Sequence, residues 1–112
     1  MKTKIHVGGR LRIPEDEIIL MEGDVNYTHI FTRSGKIYLV ATTLKLLEDR
    51  VTDRYFRSHK KYIVNLLEVS SLEEYSLRME NMKDVLVSRR RKHDLVAKLK
   101  RFNPSVLQKQ IA

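Results

Sequence analysis

The chain has 112 residues and a net charge of +8, with 22 Lys and Arg against 14 Asp and Glu. That length allows one domain with one modest core, and the charge points to an anionic partner: nucleic acid, an anionic membrane surface or an acidic protein. The absence of cysteine excludes disulfides and thiolate metal sites, and apolar runs of four or five residues fall far short of the roughly 20 that cross a bilayer.

Residues 1–14 are basic and weakly patterned, and Pro14 bars helix continuation, so an N-terminal arm or an edge strand is expected there. The N-terminus lacks the apolar stretch of a signal peptide, which fits a soluble cytoplasmic protein. Ile18-Ile19-Leu20-Met21 has the length of a strand buried on both faces. After a loop at Glu22–Asn26, Tyr27–Thr32 resumes as a strand, with Tyr27, His29 and Phe31 on one face and Thr28, Ile30 and Thr32 on the other. Tyr27 is expected in the core. Ser34-Gly35 signals a hairpin turn, with Lys36–Ala41 as its return strand. Thr42 or Thr43 can cap a short helix through its hydroxyl, in which Leu44, Leu47 and Val51 recur at helical spacing.

The stretch Tyr55–Leu66 is the most informative. Its second half, Tyr62–Leu66, is β-branched and aromatic enough for a strand. Arg57, Ser58, His59, Lys60 and Lys61 cannot all be buried and suggest a turn or short helix that holds out cations. Beyond it, Tyr75, Leu77 and Met79 alternate with polar residues as a half-buried strand, Asn81–Asp84 is a turn, and Val85–Val87 returns. Leu95, Val96, Leu99 and Phe102 form the apolar stripe of a closing helix that Asn103-Pro104 ends. Residues 103–112 form a C-terminal tail with too little pattern to assign. Tight turns between most strands imply antiparallel sheets.

Catalysis finds no support. His6, His29, His59 and His93 lack metal-ligand spacing, no nucleophile elbow is present, and no cofactor is expected. Arg89, Arg90 and Arg91 start the closing helix, where the dipole disfavours cations; their presence suggests a phosphate-bearing partner.

From Ile18 to about Arg91 the chain resembles a LytTR-type DNA-binding domain, the output module of many bacterial response regulators. Ile18-Ile19-Leu20-Met21-Glu22 with Asn26-Tyr27, then Gly35 and Tyr38, then Thr43-Leu44 with Leu47-Glu48 match in order. Phe56-Arg57-Ser58-His59 with Tyr62-Ile63-Val64-Asn65 carries the family signature, and Val87-Ser88-Arg89-Arg90 its closing motif. The resemblance places the domain at residues 15–102. It implies a mainly β fold of several small antiparallel sheets packed in an elongated β sandwich, with one short internal helix and a C-terminal helix.

The resemblance further implies that loops, not a recognition helix, enter the major groove of double-stranded DNA at short direct repeats, often as pairs of protomers. Lys60 follows the signature histidine, where the family contacts DNA, and Lys61 adjoins it. Arg90 is favoured as a base contact, with Arg89 beside it. Asn26 and Thr28 lie where the family presents a groove-facing side chain, with Thr28 the first choice. Arg57 completes the expected cationic set. His59 and Asn65 are read as structural. Two departures stand out: Asn81-Met82 replaces the usual Asn-Gly, so a longer or differently shaped turn is expected, and no receiver domain precedes the module, so a separate signalling protein is expected as input. A general RNA-binding module and a basic protein-interaction domain are the alternatives. The first needs exposed aromatics for base stacking, and the chain has only five Tyr and three Phe.

Overall fold

Alternating apolar side chains on both sides of a central sheet set the architecture. The computed structural model describes residues 3–108. Its strands are β1 (Lys4–Gly8), β2 (Leu11–Pro14), β3 (Ile18–Asp24), β4 (Tyr27–Thr32), β5 (Ile37–Val40), β6 (Tyr55–His59), β7 (Tyr62–Asn65), β8 (Val69–Glu73), β9 (Ser76–Met79) and β10 (Asp84–Leu86). Three α-helices accompany them, α1 (Leu44–Glu48), α2 (Lys92–Phe102) and α3 (Ser105–Gln108), and Arg89–Arg91 form a 3-10 turn just ahead of α2 rather than its start. The strands form the hairpin β1-β2, a five-stranded sheet in the order β5-β4-β3-β7-β6 and a three-stranded sheet in the order β10-β9-β8. Every strand pair is antiparallel.

Strand β3 lies at the centre of the large sheet, and neighbouring residues of one strand point to opposite faces. Met21 pairs with Ile30 and Ile63, and all three join a core with Ile5, Val7 and Ile13 of the first hairpin and Leu44 and Leu47 of α1. Leu20 pairs with Val64 and faces the other way, into a core with Leu72, Leu77, Met79 and Val85 of the small sheet and Leu95 and Leu99 of α2. The apolar run at 18–21 is thus a strand buried on both faces. The molecule measures 45 × 32 × 23 Å along its principal axes, the expected elongated sandwich.

Several expectations need correction. Residues 4–14, expected as an arm or an edge strand, are a complete two-stranded hairpin docked on the sheet, because Ile5, Val7 and Ile13 bury there. Residues 55–59 form strand β6, not a turn or helix; only Lys60 and Lys61 make the turn. Thr43 precedes α1 without a side-chain cap bond. The expected tail begins with α3, whose Val106 is buried, and the Asn103 side chain donates to the carbonyls of Leu66 and Val69. Residues 109–112 of that tail lie outside the described residues.

The Asn81-Met82 turn is not longer than a glycine turn. The Met82 N–H donates to the Met79 carbonyl and the Met79 N–H to the Lys83 carbonyl. Gly35, Thr32 and Lys36 repeat that pattern in the β4–β5 hairpin. Both hairpins need a left-handed residue; Gly35 supplies it at φ 92° and Met82 adopts it at φ 71°.

Candidate nucleic-acid interface

The β6–β7 hairpin holds its two lysines out by bonding everything around them. The pairing of β6 with β7 shifts register between Phe56 and His59, a bulge that turns Arg57 and Ser58 to separate tasks. The Arg57 guanidinium donates to the carbonyls of His59 (3.3 Å) and Lys60 (2.7 Å) and pairs with Glu48 of α1 at 2.9 Å. The neutral His59 ring accepts at Nδ1 from the Lys61 N–H at 3.2 Å. Lys60 and Lys61 are exposed at the tip. Arg57, expected among the DNA contacts, braces this turn against α1 and also lines both grooves beside the lysines. His59 fills the expected structural role, as does Asn65, which donates to the Ile18 carbonyl and accepts from the Leu67 N–H.

Ser58 points away from Arg57 and is fully buried. Its hydroxyl donates to the Leu86 carbonyl at 2.9 Å, and its own carbonyl accepts from the Ser88 N–H at 2.8 Å. These two bonds fasten the chain leading into Arg89–Arg91 to the lysine hairpin. As a result Arg57, Lys60, Arg90 and Arg91 line one groove of about 390 Å³, with His59 and Ser88 in its wall. Arg90 is exposed, while Arg89 lies 5.1 Å over the Tyr75 ring, which it shares with Lys92.

A third loop approaches the lysines from the other side. Val25, Tyr27 and Lys45 line a groove of about 440 Å³ together with Lys60 and Lys61. Asn26 is exposed at the tip of this β3–β4 loop. Thr28, the favoured contact from sequence, is fully buried and donates its hydroxyl to the Thr42 carbonyl at 2.6 Å; it cannot meet a base. Tyr27, expected in the core, is 51% exposed. Its face of β4 is covered only at the far end, where Lys83 pairs with Glu22 and lies 4.8 Å over the Phe31 ring. Sequence reasoning missed Lys45, Val25 and Tyr27 as members of this face, whereas Arg91 was already legible as part of the arginine cluster. Lys45 already read as outward on α1, but nothing in the sequence put α1 beside the β6–β7 turn.

The face is strongly electropositive. Among the described residues, no carboxylate pairs with Lys60, Lys61, Arg89 or Arg90. The His59 imidazole sits below its ordinary range, first because it is partly withdrawn from water and then because Lys60, Lys61 and Arg57 repel a further positive charge. Unpaired cations along one side, drawn from separate loops, suit a polyanion with regularly spaced charges. Among the described residues no cluster of carboxylates and histidines could hold a metal ion, and no helix is long and apolar enough to cross a membrane.

Comparison with known proteins identifies the family and the fold. The LytTr DNA-binding domain family matches residues 8–100. No curated protein matches the chain. A solved structure described as the LytTr DNA-binding domain of a response regulator from Bacillus cereus superposes with a TM-score of 0.70 at 18% identity, covering 88% of this chain and 95% of the other. At that identity the match is one of fold.

Proposed function

Because the chain belongs to the LytTr DNA-binding domain family, we propose that it is a sequence-specific transcriptional regulator whose loops enter the major groove of double-stranded DNA at short direct repeats. The observation that carries this reading is the single groove shared by Lys60 and Arg90, with the Val25–Tyr27 loop alongside. Lys61, Arg89, Arg91 and Lys45 bond phosphates and fix the register of the domain on the duplex. Lys60 and Arg90 reach the acceptors O6 and N7 of guanine, and Asn26 the edge of adenine. Two protomers occupy adjacent repeats, and a separate signalling protein supplies the input.

The RNA-binding alternative loses support from the aromatics: among the described residues Phe31, Tyr38, Phe56 and Tyr62 are half-buried against the two cores, which leaves Tyr27 as the exposed ring of the large sheet. Selection from a randomised duplex pool tests the proposal. Enrichment of a short motif, repeated head to tail, is the expected result. Equal retention of all sequences, or displacement of duplex by single-stranded RNA, overturns it.

A further inference from the structure

The tip of the β3–β4 hairpin is built against its own conformational preference. Asp24 pairs with Tyr27, leaving Val25 and Asn26 as a two-residue loop. Val25 takes φ 43°, the left-handed region that a β-branched side chain avoids. A turn with positive φ at its first central position ordinarily takes glycine there. Met82 is the other described non-glycine residue at positive φ, and it is flexible and unbranched, whereas valine is neither.

No intramolecular packing offsets this strain, for Val25 is 92% exposed, the most of any large apolar residue described. Strain held without an internal contact marks a site where the side chain acts on something outside. Its surroundings say what. Val25 shares its groove with Lys45, Arg57, Lys60 and Lys61, four cations against the single carboxylate of Asp24, and with the exposed ring of Tyr27. The neighbouring loops present lysine and arginine, which recognise acceptors. None of them can recognise the one apolar feature of the major groove, the C5-methyl group of thymine.

We propose that Val25 is a specificity-determining residue that packs its methyl groups on a thymine C5-methyl in the bound site. This rests on the reading under Proposed function and adds to it a base identity and an apolar mode of recognition.

The test replaces each thymine of the selected duplex in turn by deoxyuridine, which removes only the methyl group, and measures affinity by fluorescence anisotropy. For the unaltered protein, one position is expected to weaken binding about fourfold, the weight of one methyl group leaving water. V25A is expected to bind uracil and thymine equally at that position while keeping the penalty at any other. V25G removes the side chain and relieves the turn, so its melting temperature rises while thymine discrimination disappears; a general structural defect would move both downward. The proposal is overturned if V25A keeps every penalty of the parent, if no thymine position is sensitive, or if the selected motif has no thymine. A protein that prefers no duplex at all overturns the proposed function itself, and this inference with it.

Discussion

The Ser88 N–H donates to the Ser58 carbonyl across 2.8 Å, and this bond sets the distance between the lysine hairpin and the arginine cluster. The Ser58 hydroxyl completes the fastening through the Leu86 carbonyl. Ser58→Ala removes a fully buried hydroxyl and its bond to the Leu86 carbonyl, and should lower stability by about 1 kcal/mol in urea unfolding. It should also reduce affinity for the selected duplex more than for random duplex, because phosphate contacts tolerate a displaced loop and base contacts do not. Equal losses on both duplexes would show that the fastening does not govern base recognition.

Thr28 separates folding from binding. Thr28→Val keeps the shape but leaves the Thr42 carbonyl without its donor, and should destabilise the domain by about 1–3 kcal/mol. Base preference measured below the unfolding transition should be unchanged. A changed preference would return Thr28 to the interface.

At the β9–β10 turn, Met82 is 68% exposed and left-handed. Met82→Gly relieves the steric conflict but adds freedom to the unfolded chain, so a net gain of about 0.5 kcal/mol is expected. Thermal unfolding checks the sign; a loss would mean that the methionine side chain makes a stabilising contact.

His59 should respond to acid. Its folded-state value lies below the ordinary 6.5, so the unfolded chain binds more protons in the interval between the two. The contribution is therefore complete above pH 6.5 and is lost as pH falls toward the folded value. The structural event is loss of the Nδ1 acceptor for the Lys61 N–H. Urea unfolding against pH, compared with His59→Gln, should show the parent losing stability below pH 6.5 more steeply than the variant. Parallel curves would dismiss His59 as the titrating group.

Much of the fold was legible because two periodicities are strong. The run Ile18–Met21 and the alternation through Leu77 and Met79 each name a strand and its burial. What alternation cannot say is which face of a strand turns inward. In β4 it grouped Tyr27 with His29 and Thr28 with Ile30 correctly, yet the inward face was decided by the β1–β2 hairpin packing on Ile30 and Val40. That choice buried Thr28 and exposed Tyr27, the reverse of expectation. For Arg57 the charge was legible, but the bulge that folds its guanidinium back onto two carbonyls was not. Lys60 and Arg90 were placed by motif, and their convergence depends on Ser58, whose bonds span strands distant in sequence.

The most direct measurement is a base-by-base preference profile for Lys60→Ala and Arg90→Ala on the selected duplex. Each should weaken binding by about 1–3 kcal/mol and relax preference at its own position, the two positions lying in one groove a few base pairs apart. Wild-type affinity and an unaltered profile for both variants would contradict a DNA-reading face built on these two residues.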